Sequence, residues 1–111
     1  MAKSRRAKAC DISQAVKAKV WERDQHRCIF CGSAVNVMPN AHVVPASDGG
    51  MGIEENIITA CTRLAENDCH FRFDNGTKEE RAAMYAQARA HLKQFYPNLE
   101  NIEVRYKKYR F

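Results

Sequence analysis

The 111 residues predict a single α+β domain, with helices near both ends and short strands and turns between them. Apolar residues recur at helical spacing at Ile12, Val16 and Val20 and again within residues 79–95. Between these stretches lie short apolar runs bounded by Pro39, Pro45 and a glycine-rich segment, a pattern typical of strands and turns. An apolar fraction of 45% and a charged fraction of 28% suit a soluble globular protein rather than a disordered one.

The helices have recognisable ends. The first is predicted over residues 12–23, and either Asp11 or Ser13 can cap it, because their side chains accept hydrogen bonds from the first free amides. The longer C-terminal helix follows Thr77, which begins a capping-box pattern, and Pro97 ends it. Both helices are therefore expected to flank the middle of the chain.

The middle of the chain predicts strands, a loop and a short helix. Residues 35–38 and 42–44 are interpreted as two short strands that form a hairpin. Residues 46–56 form a turn-rich loop, and residues 57–62 are a short apolar piece. A short helix is predicted to begin near Cys69. The sequence thus divides into a flexible basic tail (1–10), a domain with flanking helices (11–97) and a basic aromatic tail (98–111).

The net charge and the lack of long apolar runs indicate which classes of protein and partner fit this chain. Eighteen Lys and Arg against thirteen Asp and Glu give a net charge of +5, which favours a polyanionic partner. No apolar run approaches the roughly 18 residues of a membrane span. The basic start is not followed by a hydrophobic signal core, so we expect a cytoplasmic protein without membrane association.

The chain has five cysteines, an odd number that excludes a complete disulfide framework, and reduced cysteine pairs in a cytosolic protein indicate a metal site. Cys28 and Cys31 form a CxxC knuckle, and Cys61 with Cys69 can complete a four-thiolate zinc site. Four thiolates leave no open position, so this Zn²⁺ would be structural. The alternative is that Cys61 and Cys69 are ordinary buried thiols, since seven residues separate them. Cys10 is left without a role.

Four segments taken in order carry a resemblance to a known family: VWERDQHRCIFCG, NAHVVPASDGG, EENIITAC and CHFRFDNG. Together they resemble the HNH (ββα-metal) endonucleases, and most closely the small phage-type members with zinc-bound cysteine pairs. The motifs cover about half of the chain. The resemblance implies a small zinc-stabilised ββα-metal domain between the two flanking helices, and metal-dependent hydrolysis of phosphodiester bonds in DNA with low sequence specificity.

The resemblance also implies roles for individual residues. His42 matches the general base, and Asn56 matches the residue that hydrogen-bonds backbone across the motif loop. His70 matches the final metal-binding histidine, and Asp74, four residues later, can share a catalytic Mg²⁺ or Mn²⁺ with it. Each of these residues also has a structural alternative. His42 could be a half-buried histidine, Asn56 a turn asparagine, and Asp74 a solvated acid that binds no metal. One departure is Ala41, where many relatives carry a metal ligand.

Basic residues near the motifs and in the C-terminal tail are predicted to contact the nucleic-acid backbone. The alternative is that they form a solvated face and that the tail tyrosines pack on the domain. The predicted contacts are Arg23, Arg63, Arg72, Lys107, Lys108 and Arg110.

The function that these residues predict is a DNA endonuclease, acting as a monomer or weak dimer that nicks or cuts both strands. The first alternative is a catalytically inactive, zinc-stabilised nucleic-acid-binding module, which Ala41 favours. The second is a zinc ribbon that binds proteins, in which the basic ends only aid solubility.

Overall fold

The computed structural model describes residues 4–62 and 67–107, which form a small α+β fold as predicted. No helix in these two ranges has the length and apolar character needed to cross a membrane. Single-turn 3₁₀ helices occur at Ala46–Asp48, Glu54–Asn56 and Leu99–Asn101. The main elements are α1 (Arg5–Cys10), α2 (Gln14–Arg23), β1 (Val37–His42), β2 (Ile57–Cys61), α3 (Cys69–Asn75) and α4 (Lys78–Phe95).

The sheet consists of β1 and β2, which pair antiparallel. Val37 lies opposite Cys61 at one end, and His42 lies opposite Ile57 at the other. The predicted hairpin between the apolar stretches on either side of Pro39 is wrong, because one strand runs through the proline. The register shifts beside Pro39, and such an irregularity accommodates a residue that has no amide hydrogen to donate.

The predicted helix ends are confirmed. Ser13 caps α2, because its Oγ accepts a hydrogen bond from the Val16 amide at 3.1 Å. Thr77 caps α4 in the same way, through the Glu80 amide at 3.1 Å, and α4 ends at Phe95. Each cap satisfies an amide that has no partner inside the helix, which contributes about 1 kcal/mol.

The core lies between the sheet and the helices. All five residues of β2 are buried, so both faces of this strand are covered. Ile58 and Ala60 from β2 pack in one apolar cluster with Phe73 of α3 and with Ala88 and Leu92 of α4. Fully burying a side chain such as Leu or Ile contributes about 1.5–3 kcal/mol. The core thereby fixes α3 and β2 relative to each other.

Residues 4–10 differ from the predicted flexible tail, because they form α1 and dock on the domain. Cys10 is 8% exposed, and the Gly52 amide donates to the Ala9 carbonyl at 2.9 Å. A Cβ on Gly52 would lie 2.0 Å from the Asp11 carbonyl oxygen, so only glycine permits this approach. The basic composition of this segment is typical of a solvated tail. The contacts that anchor it come from residues far along the chain, so the local sequence does not predict them.

The described part of the basic aromatic tail folds back onto the domain. The Met51 amide donates to the Val104 carbonyl at 2.8 Å, and the Tyr106 amide donates to the Gly49 carbonyl at 2.7 Å. These bonds pair the returning chain with the glycine-rich turn that follows β1. Both ends of the described chain therefore pack against the same loop.

A buried ion pair fastens the end of α2 to β2 and α4. The Asp24 carboxylate accepts hydrogen bonds from the Arg23 Nε at 2.8 Å, the His91 Nε2 at 2.7 Å and the Thr59 amide at 2.8 Å. Burial alone would raise the pKa of Asp24, but the hydrogen bonds from His91 and Arg23 outweigh it and hold the pKa below its ordinary value. The charged carboxylate is thus part of the folded frame.

Candidate metal centre and histidine cleft

The four predicted zinc ligands come together. The Sγ atoms of Cys28, Cys31, Cys61 and Cys69 all lie within 4.8 Å of one another, and those of Cys31 and Cys61 are 3.9 Å apart. A tetrahedral Zn²⁺ with Zn–S bonds of about 2.3 Å requires sulfur atoms about 3.8 Å apart. The donor set and its spacing therefore fit a structural zinc ion, and the predicted four-cysteine cluster is confirmed.

Local backbone structure holds these thiols in place. The Cys69 amide, at the start of α3, donates to the Cys61 Sγ at 3.0 Å, and the Phe30 amide donates to the Cys28 Sγ at 3.4 Å. The knuckle turns back at Gly32, whose φ of +78° favours glycine and whose amide donates to the Cys28 carbonyl. Amides directed at sulfur stabilise the thiolate form that binds a metal.

Without a cation, the surroundings oppose ionisation of two of the four thiols, Cys61 and Cys69. Burial opposes ionisation of Cys31, but hydrogen bonds led by the Ser33 backbone lower its pKa to about 7. Burial raises the pKa of Cys61 and of Cys69, and neighbouring sulfur atoms add to the rise. A divalent ion removes this penalty, because it coordinates thiolates directly.

His42, His70 and Asp74 line one open cleft of about 840 Å³, which we call the histidine cleft. The His70 Nε2 and Asp74 Oδ2 atoms are 3.3 Å apart, one turn apart on α3. Adjacent ligands of an octahedral Mg²⁺ lie about 3 Å apart, so this pair fits two neighbouring positions. In the described ranges the four cysteines are the one set of three or more His, Cys, Asp or Glu side chains close enough to share an ion, so no third side chain of these types joins the pair there.

The ring of His42 is held by α1. Its Nε2 lies 2.8 Å from the Cys10 carbonyl oxygen, which can only accept a hydrogen bond. Nε2 must therefore carry the hydrogen, and in the neutral ring Nδ1 is the nitrogen able to accept a proton. Sequence reasoning missed this contact, since no local pattern links residue 10 to residue 42.

Asn56 is 1% exposed and ties the loop between β1 and β2 together. Its Oδ1 accepts from the Val44 amide at 2.9 Å, and its Nδ2 donates to the carbonyls of Val44 at 3.2 Å and Met51 at 2.9 Å. These are bonds to backbone across the loop, of the kind that the HNH resemblance implies for this residue. They hold the chain that follows His42.

The predicted phosphate contacts have mixed outcomes. Contrary to the prediction, Arg23 is unavailable, because its side chain is 7% exposed and donates to the carbonyls of Glu54 at 2.6 Å and Ile57 at 2.7 Å. The end of α2 packs against β2, so the Arg23 guanidinium makes its hydrogen bonds within the domain. Arg72 is exposed beside the cysteine cluster, and exposed Lys107 pairs with a neighbouring acid. Outside the described residues lie Arg63, Lys108 and Arg110.

Three further cations line the histidine cleft: Lys78 and Arg81, which sequence reasoning missed, and Arg105 from the basic aromatic tail. Lys78 and Arg81 share a face of α4 with Tyr85, and this three-and-four spacing was readable in the sequence. Arg105 reaches the cleft because its backbone pairs with that of Gly50. No local sequence pattern predicts this pairing.

The cysteine cluster and the histidine cleft meet at the start of α3, where Cys69 and His70 are consecutive. Cys69 faces the core and is fully buried, whereas the His70 side chain is 28% exposed. One helix thus serves both regions. Comparisons of the chain with models of known families, with curated proteins and with solved structures found no match.

Proposed function

We propose that this protein is a metal-dependent endonuclease of the HNH type, which hydrolyses phosphodiester bonds in DNA with His42 as the general base. The observation that carries the proposal is the histidine cleft, which is lined by His42 from β1 and by His70 and Asp74 from α3. These side chains belong to separate elements, and one open, polar cleft that holds them is a default candidate for an active site.

The order of elements supports the same proposal. β1, β2 and α3 follow one another, with the cysteine cluster at the far end of the sheet from His42. This ββα succession and the Asn56 bonds across the intervening loop agree with the fold that the resemblance implies.

The geometry of His42 suits a general base. Nδ1 would accept a proton from water, while Nε2 keeps its hydrogen bond to the Cys10 carbonyl before and after the transfer. That bond fixes the ring orientation and becomes stronger when the ring is charged. A positioned base of this kind contributes about 10²–10⁴-fold to the rate.

The other side chains of the cleft would stabilise the negative charge of the phosphate, either by binding a metal ion or by their own positive charge. His70 and Asp74 would hold Mg²⁺ or Mn²⁺, an ion that supplies charge stabilisation for the phosphate and the departing 3′-oxygen. Lys78, Arg81 and Arg105 line the same cleft and add positive charge for the backbone on either side of the cut. The resemblance implies products with a 5′-phosphate and a 3′-hydroxyl.

The test is His42→Ala in a plasmid-nicking assay with the zinc-loaded protein and added Mg²⁺ or Mn²⁺. We expect the rate to fall about 10²–10⁴-fold because the base is lost. His26→Ala is the matched control, since His26 is exposed and stacks on Trp21, and it should cleave at the normal rate. Undiminished cleavage by the His42→Ala protein would refute the assigned base.

A catalytically inactive, zinc-stabilised nucleic-acid-binding module is the second candidate. It is favoured by Ala41, which is fully buried at the position where many relatives carry a metal ligand, and by the two-residue ligand set of His70 and Asp74. This module would bind DNA in a salt-sensitive way, and it would not nick DNA whichever divalent ion is added. The same plasmid assay on the unsubstituted protein separates the two candidates.

A further inference from the structure

A second cleft of about 820 Å³ lies against α1, and we call it the α1 cleft. It is lined by residues from α1, from the start of α2 and from β1, among them Arg6, Lys17 and Asn40. His42 and Ala46 line both this cleft and the histidine cleft. The two clefts therefore adjoin at the candidate base, with His42 between them.

The α1 cleft carries positive charge in a fixed arrangement. The Arg6 NH2 donates to the Ser47 carbonyl at 2.6 Å, and Ser47 itself lines the histidine cleft. A guanidinium has five N–H donors, so this bond orients the group and leaves donors for a ligand. Lys17 is half-buried at the same cleft, and Asp11 is the carboxylate among its lining residues.

Cations thus stand on both sides of His42. Arg6 and Lys17 lie in the α1 cleft, and Lys78, Arg81 and Arg105 lie in the histidine cleft. A single small anion cannot engage two adjoining open clefts, whereas a nucleic-acid strand presents one phosphate at every nucleotide. A polyanion of regular charge spacing is the ligand chemistry that this arrangement matches.

We propose that the DNA backbone runs through both clefts, with Arg6 and Lys17 binding phosphates on the side of His42 opposite the His70–Asp74 pair. This inference rests on the proposed function, because it takes His42 to stand at the scissile bond. It assigns to α1 a substrate-binding role in addition to its hold on the His42 ring.

The test measures binding of a fluorescent duplex oligonucleotide to the zinc-loaded His42→Ala protein by anisotropy, over 50–200 mM KCl. Arg6→Gln and Lys17→Gln are each added to this background. Each lost phosphate contact should lower the salt slope by about 0.9 and weaken binding about tenfold near 0.1 M salt, because fewer counterions are released. Lys8→Gln, an equal charge change on α1 outside the clefts, is the matched control and should leave both values unchanged.

Two results would overturn the inference: salt slopes unchanged in both the Arg6→Gln and Lys17→Gln proteins, or no duplex binding by the His42→Ala background. Lys17→Gln guards against a folding effect, since Arg6 also bonds to Ser47. Failure of the nuclease proposal is distinguishable. If the unsubstituted protein nicks nothing but both variants lose binding and slope, the backbone path stands and catalysis does not.

Discussion

The cysteine cluster and the histidine cleft use neighbouring residues of one helix in opposite ways. Cys28, Cys61 and Cys69 are at most 2% exposed, and the cluster offers four thiols to one ion. In the cleft, the side chains of His70 and Asp74 are 28% and 49% exposed, and they offer two ligands. A site whose protein ligands fill every position can only hold structure, whereas a site with open positions can bind and activate a substrate.

This difference separates stability from activity along α3. The ion in the cluster would join the knuckle before β1, the end of β2 and the start of α3, three segments that a domain of this size must keep together with a modest core. The histidine cleft lies between β1 and α3, and residues of both elements already pack together in the core. Substitutions in the two regions should therefore differ most in what they do to the free energy of unfolding.

The largest effect is expected for Cys69→Ser. Structural zinc is worth about 10–16 kcal/mol in small zinc domains, and the net stability of a domain is about 5–15 kcal/mol. The variant should lose its zinc and its cooperative thermal transition, as measured by metal analysis and circular dichroism. Cys10→Ser is the matched control, because Cys10 lies outside the cluster, and it should keep one zinc per chain. A zinc-free Cys69→Ser protein that melts cooperatively at the normal temperature would show that the cluster is dispensable.

Asp24→Ala should come next, with a loss of about 3–5 kcal/mol, because it leaves the buried Arg23 guanidinium without its counter-ion. Asp24 belongs to the frame that both regions share, so zinc should be retained while urea unfolds the protein at a lower concentration. Lys93→Ala, which breaks the exposed ion pair with Glu100, should not move the urea midpoint. Equal midpoints for Asp24→Ala and the unsubstituted protein would contradict this account of the frame.

Gly52→Ala should cost about 1–3 kcal/mol, because the added Cβ meets the Asp11 backbone and forces α1 away from its seat. The displacement also removes the Cys10 carbonyl from the His42 ring. In nitrogen NMR, His42 should change from the Nε2–H tautomer to a mixture of both tautomers. A variant that keeps both its stability and a single tautomer would mean that α1 does not hold the ring.

The smallest effect on stability is expected for His70→Ala, within about 0.5 kcal/mol, since the side chain is partly exposed and outside the core. Zinc should stay at one per chain, while cleavage that depends on Mg²⁺ or Mn²⁺ should disappear if the proposed function is right. Cys69→Ser, one position earlier, should lose zinc and stability, whereas His70→Ala should lose cleavage alone. Loss of zinc from the His70→Ala protein would show that the two regions are not separate.

Much of the local structure followed from the sequence. The CxxC knuckle, the Ser13 and Thr77 caps and the helix over residues 78–95 all depend on residues a few positions apart. Cys61 and Cys69 were predicted as the other two ligands, with ordinary buried thiols as the alternative, and the tertiary structure brings both to the knuckle. Patterns of this kind report interactions that the local chain makes with itself.

What the sequence by itself determined is therefore the α+β class, the helix ends and the Cys28–Cys31 knuckle. Only the tertiary structure decided that β1 pairs with β2, that Arg23 turns inward to Asp24, and that α1 brings the Cys10 carbonyl to His42. The reason is physical: each of these contacts joins a backbone or charged group to a partner that another segment supplies, and packing of the core selects that partner. Composition near residues 1–10 is equally compatible with a solvated tail and a docked helix, and the glycine at position 52 allows the docked one.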